Sequence, residues 1–162
     1  MLTAHAPRAP MSTLVLVKLA SDHEIPEDVV LADTGMTAEQ LRAPDTEVRA
    51  EQELRAIENL LAAAPRAETL GLEAGLRYHL TTYGIWGFAM ISASTFRESI
   101  DVGLRYLDLA FTFAPIRAEE HETDLTLVLE EEPSLPAAVR RFVAQRDAAA
   151  IQTLQRESLG WP

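Results

Sequence analysis

The sequence predicts an α+β fold that is predominantly helical: a multi-helix core, a small antiparallel sheet and a long C-terminal helix. Three observations carry this. Ala-, Glu- and Arg-rich segments repeat apolar residues at spacings of three and four, the period of a helix face. Only two short stretches, Phe111–Ala114 and Leu125–Leu129, alternate apolar and other residues as half-buried strands do. Finally, eight of the ten aromatic residues lie between Tyr78 and Phe113, and five of the seven glycines between Gly71 and Gly103. Aromatics bring the largest apolar area per residue and glycine permits close backbone approach, so Leu70 to Pro115 is where core and pocket are expected.

Residues 1–10, with Pro7 and Pro10, read as a disordered leader, and residues 11–162 as one domain. Leu14-Val15-Leu16-Val17 suits helix and strand equally; as a helix it would be capped by Ser12 or Thr13 and run through Ala20. Ile25-Pro26-Glu27-Asp28 opens a second helix, with proline early and acids at the positive end, closing near Gly35. Thr37-Ala38-Glu39-Gln40 is a capping box for one further turn.

Asp45 or Thr46 is expected to cap a longer helix to about Ala64, stopped by Pro65. Leu54, Ile57, Leu60 and Leu61 form its stripe, with Glu51, Glu53, Arg55 and Glu58 facing water. Another helix is predicted across Leu70, Leu72, Leu76 and Leu80. Tyr83–Ala93 is apolar nearly all round, so period does not separate buried helix from buried strand. Gly84, Gly87, Ala89 and Ala93 favour a helix packed closely on a neighbour.

Thr95-Phe96-Arg97-Glu98 is a second capping box, opening a helix with Phe96, Ile100, Leu104 and Leu107 on one stripe. Phe111–Ala114, ended by Pro115, and Thr123–Leu129 make the hairpin, joined through acidic Glu119-Glu120-His121-Glu122. Two strands alone are marginal, so the hairpin either lies on the helices or has its sheet completed from elsewhere. Glu130–Pro133 breaks the strand, and Ser134 begins the final helix to about Ser158. Its stripe is Val139, Phe142, Val143, Ala150, Ile151 and Leu154, flanked by Arg140, Arg141 and Arg146.

Composition excludes several functions. With no cysteine there is neither disulfide nor thiolate chemistry. The four histidines are scattered without ligand spacing, so no metal is expected. Apolar runs are too short to span a bilayer, and a cytoplasmic protein without membrane partners is the reading. A net charge of −11 is the wrong sign for binding phosphates. Ser92, Ser94 and Ser99 have no adjacent base and the glycines lack a phosphate-loop ending, so neither an enzyme nor a bound cofactor is predicted.

Four motifs follow one another in the aromatic stretch. They are Leu70-Gly71-Leu72 with Gly75, then Tyr83-Gly84-Ile85-Trp86-Gly87-Phe88-Ala89, then Ser94-Thr95-x-x-Glu98-Ser99, then Arg105-Tyr106-Leu107. The ordered set resembles the N-terminal effector domain of one branch of AraC-type bacterial transcription regulators, the "arabinose-binding" type. The resemblance tips Leu14–Val17 toward helix. It implies a small-molecule-sensing, dimerising regulatory domain. DNA would be reached only through a C-terminal helix-turn-helix domain that this chain lacks, so the effector domain reads as truncated at its C-terminal end.

Polar-tipped side chains beside the aromatics are the candidate ligand-binding residues: Arg77, Tyr78, Tyr83, Trp86, Arg97, Arg105 and Tyr106, with His79 beside them. An arginine suits a ligand carboxylate and a tyrosine donates a hydrogen bond. The bland alternative pairs Arg97 with Asp101 and Arg105 with Asp101 or Asp108. A homodimer is expected, with the C-terminal helix at or near its interface; the competing reading packs that stripe on Phe111, Phe113 and Leu127 and leaves a monomer. Two other readings stay open: a small enzyme with a noncontiguous active site, and a dimerisation module without ligand.

Overall fold

The computed structural model describes residues 7–65, 67–122 and 124–160. Its elements are α1 (Met11–Asp22), α2 (Glu27–Leu31), α3 (Ala38–Leu41), α4 (Ala50–Ala63), α5 (Leu70–Gly75), α6 (Gly84–Ile91), α7 (Phe96–Arg105), β1 (Ile116–Glu120), β2 (Leu125–Leu129) and α8 (Ala137–Leu159). The predicted class holds: helices dominate, with one two-stranded antiparallel sheet and a long last helix.

Residues 1–6 of the expected leader lie outside the described residues, as does Thr123 at the start of the second expected strand. Residues 7–10 are tied to the body of the protein, where Arg8 and Val48 exchange backbone bonds of 2.9 and 2.8 Å. That pairing holds Val48 extended, which is why α4 starts at Ala50 and not after Thr46. The Thr46 hydroxyl instead donates to the Gln40 carbonyl. Helix α1 is entered through Pro10, so Ser12 and Thr13 are interior helical residues and not caps. Helix α2 stops at Leu31, four residues early, where the Thr34 hydroxyl takes up the Leu31 carbonyl at 2.6 Å. The Thr37–Gln40 capping box forms as predicted.

The helix expected from Leu70 to Leu80 ends at Gly75, and Leu80–Tyr83 is a separate 3₁₀ turn. Its buried face is Leu70, Gly71, Ala74 and Gly75, whereas Leu72 and Leu76 are exposed. A methyl group at Gly71 would lie 2.4 Å from the Phe142 carbonyl oxygen, and one at Gly75 2.3 Å from that of Arg146. Backbone therefore packs on backbone, and small residues decide the contact between α5 and α8. Within Tyr83–Ala93 the residues Gly84–Ile91 form a helix, entered by Gly84 at φ 54 and ψ −125, a conformation that favours glycine. At α7 the Thr95 hydroxyl accepts from the Glu98 amide at 3.1 Å. The Glu98 carboxylate accepts from the Ser94 amide at 2.8 Å, which closes the box one residue early.

Phe111–Ala114 is not a strand. The Phe111 carbonyl accepts from Arg8 and Arg146, and the Thr112 carbonyl from Arg8, so side chains satisfy this backbone in place of a ladder. The strand begins after Pro115 and pairs Ile116 with Leu129 through Glu120 with Leu125. Helix α8 starts at Ala137 behind Pro136, three residues later than the sequence suggests, and closes at Gly160 in the left-handed region. The main core joins α1, α4, α5 and α8 through Leu16, Leu19, Ile57, Leu60, Leu70 and Phe142. A smaller cluster of Leu80, Trp86, Ala110 and Leu154 lies under α6 and α7, and Tyr83 packs against both.

Candidate functional site

Two constellations stand out, and they differ in kind. The first is a buried polar network. Arg146 of α8 and Glu53 of α4 are each 1% exposed, with Arg146 Nη1 3.1 Å from Glu53 Oε1. Arg146 Nε donates to Asp147 at 2.9 Å and Nη2 to the Phe111 carbonyl at 2.8 Å. Ser12 donates to Glu53 at 2.5 Å, which leaves its lone pairs to accept from the Tyr78 hydroxyl at 2.7 Å. Thr112 donates to Asp147 at 2.8 Å. The Arg8 guanidinium lies 4.6 Å from the centre of the Phe113 ring, and that of Arg146 lies 5.3 Å from it.

Arg146 thus meets two anions in the interior, while the half-buried Arg8 holds the Phe111 and Thr112 carbonyls beside the same Phe113 ring. Burial works against the Arg146 charge, but Asp147 and Glu53 outweigh it and hold that charge more firmly than usual. Burial is also the main cause that pushes the Tyr78 phenol up to about 12, and it raises Tyr83 well above its ordinary value. Ser12 is fully buried, so its contact with Glu53 reaches no substrate. The network ties α1, α4, α8 and the Phe111–Phe113 crossing together.

The second constellation is a slot. Trp86 and Met90 of α6, Phe96, Ile100 and Leu104 of α7, Ile116 and Leu127 of the hairpin, and Ile151 and Leu154 of α8 enclose an apolar cavity of about 90 Å³. Trp86 is fixed by its indole N–H, which donates to the Gly103 carbonyl at 3.1 Å. A methyl group at Gly103 would come within 3.1 Å of Met90 Sδ, so the glycine makes room for these side chains. Next to it is a more polar cavity of about 150 Å³, lined by Ser94, Thr95 and Ser99 and sharing Met90, Phe96 and Ser158 with the slot. Ser99 Oγ and Ser158 Oγ are buried without a hydrogen-bond partner.

Of the seven residues expected at a ligand site, only Trp86 lines the slot. Tyr78 belongs to the polar network, and Tyr83 stacks between Trp86 and Phe111, with ring centres 4.8 and 5.2 Å away. Arg77 pairs with Asp22 at 2.6 Å on the surface. Arg97 pairs with Asp101 at 3.2 Å and with Glu120. Arg105 and Tyr106 are exposed. His79 bonds Glu157 at 2.6 Å.

The sequence pattern places Glu53 and Arg146 toward solvent, and both are buried. Each sits on its helix's apolar stripe, Glu53 four residues before Ile57 and Arg146 four after Phe142. Opposite charges on two apolar stripes were the available signal. The Phe96, Ile100, Leu104 and Leu107 stripe, by contrast, faces the slot along its length. Among the described residues no group of three His, Asp or Glu is placed to hold a metal ion. No described helix is long and apolar enough to cross a membrane.

The sequence matches the family described as the arabinose-binding domain of AraC transcription regulators, N-terminal, over residues 25–161. Two uncharacterized HTH-type transcriptional regulators, from Mycobacterium bovis and Mycobacterium tuberculosis, are each 36% identical to it over 140 residues. The alignments cover 86% of this chain and 40% of each relative. The chain therefore belongs to the family of N-terminal arabinose-binding domains of AraC transcription regulators.

Proposed function

We propose that this chain senses a small effector and passes its binding to a DNA-reading domain, acting in the bacterial cytoplasm and as a homodimer. One observation carries the effector reading: the slot between α6, α7, the hairpin and α8 is apolar, partly enclosed and adjoined by unpartnered hydroxyls. Apolar walls with few polar groups are the usual make-up of a small-molecule site. Helix α8 forms one wall and also anchors the polar network through Arg146. A ligand that prefers one pose of α8 shifts the population of that pose, which is how a sensor acts on a distant reader. The residues that bear on ligand are then Trp86, Phe96, Ile100, Ile151, Ser99 and Ser158.

A thermal-shift screen of amino acids, sugars, fatty acids and small cyclic alcohols tests this. A ligand of the native state raises the melting temperature by mass action. Ile151→Phe, which fills the slot, should cancel that rise. Stabilisation equal in Ile151→Phe and parent would remove the slot from consideration.

A further inference from the structure

Resting on the slot as the ligand site, we infer that its ligand is electrically neutral, with an apolar body of about one six-membered ring and a hydroxyl-type polar end. The lining supports both parts. An apolar void of about 150 Å³ takes a benzene ring; the apolar slot offers about 90 Å³ and the polar cavity beside it about 150 Å³, so one ring fills the slot and carries its polar end into the cavity. Among the described residues neither cavity has a Lys, Arg, His, Asp or Glu in its lining. A charged ligand would lose its hydration and gain no countercharge, which is strongly unfavourable.

The arginines expected to clamp a carboxylate are elsewhere, Arg77 on Asp22 and Arg97 on Asp101. The positive end of α7, which borders the polar cavity, already carries its own carboxylate: Glu98 accepts from the Ser94 amide at 2.8 Å. That charge repels an anion there. What the cavity does offer is Ser99, 3% exposed, and Ser158, whose hydroxyls are buried and unpartnered. A hydroxyl both donates and accepts, so a ligand hydroxyl satisfies both serines together, while the apolar body lies against Trp86, Ile100 and Ile151.

Cyclohexanol and cyclohexanecarboxylate, titrated separately into the ¹⁵N-labelled chain at pH 7 and followed by NMR, distinguish the cases. Cyclohexanol should shift the Trp86 indole and the Ser99 and Ser158 amides saturably, and bind at least about tenfold more tightly than the carboxylate. Ser99→Ala with Ser158→Ala should weaken cyclohexanol about fivefold, a loss of about 1 kcal/mol shared between the two hydrogen bonds. If the double variant is misfolded by circular dichroism, Ser99→Ala alone should give a weakening of about twofold or more. Carboxylate binding equal to or tighter than cyclohexanol, and abolished by Ile151→Phe, overturns the neutral ligand while leaving the slot as the site. Cyclohexanol binding unchanged by loss of the serines overturns their role and the inference with it. If neither probe moves the slot resonances, the site reading fails and takes the inference with it.

Discussion

Arg146 is held by Glu53, Asp147 and the Phe111 carbonyl at once. Arg146→Met would leave two buried carboxylates without their main partner, and breaking such a pair typically costs about 3–5 kcal/mol. Urea denaturation should report a loss of that size, and adding Glu53→Leu should recover part of it by removing one orphaned charge. Tyr78 gives a prediction with a sign. Its phenol is pushed from 10.0 up to about 12 in the fold, chiefly by burial. The protonated form is favoured by folding, so this contribution is intact below a pH of about 10 and lost as pH rises toward 12. The parent should lose stability across that window, and Tyr78→Phe should lose less, by about 2–3 kcal/mol. Equal slopes in alkaline denaturation would disprove the assignment.

At the scale of elements, the contact between α5 and α8 is sensitive to one methyl group. At Gly75 an added Cβ meets the Arg146 carbonyl at 2.3 Å and Ala149 Cβ at 2.6 Å, so α5 must lift from α8. Gly75→Ala should cost about 1–3 kcal/mol, the range for overpacking a close contact. Gly160, at the end of α8, has open space around it but a φ of 64. Gly160→Ala should therefore cost about 1 kcal/mol, through backbone strain alone. Comparing the two denaturation midpoints separates crowding from strain; a Gly75→Ala midpoint equal to the parent's would mean that α5 and α8 can part freely.

For the whole molecule, the α8 stripe expected at a dimer interface is covered within the chain, as the monomer reading requires, so two copies would have to pair through another surface. Val139, Phe142, Val143, Ala150 and Leu154 of α8 are buried in this chain's own interior, so that stripe is already covered. Large exposed apolar residues lie on α6, where Ile85 is 76% and Phe88 68% exposed, and where no residue is charged. We propose pairing of two copies there. Light scattering should give twice the chain mass at micromolar concentration, and Phe88→Glu should give a folded monomer; an unchanged mass would move the interface elsewhere. With a net charge of −11, the chain alone should not shift a DNA duplex at physiological salt in a gel-shift assay.

Local signals in the sequence were enough for the helical class, the Thr37 and Thr95 caps, the α7 stripe and β2. Each depends on residues within about one turn or one strand of each other, and on chemistry that works the same way anywhere. The family was also legible, from its glycines and aromatics in order. Burial of Glu53 and Arg146, the extended Val48, and the unpaired Phe111–Ala114 depended on partners 35 to 104 residues away. So did the slot, whose walls come from helices α6, α7 and α8 and the hairpin. A charge on an apolar stripe is costly until an opposite one is brought to it, and only the tertiary fold does that.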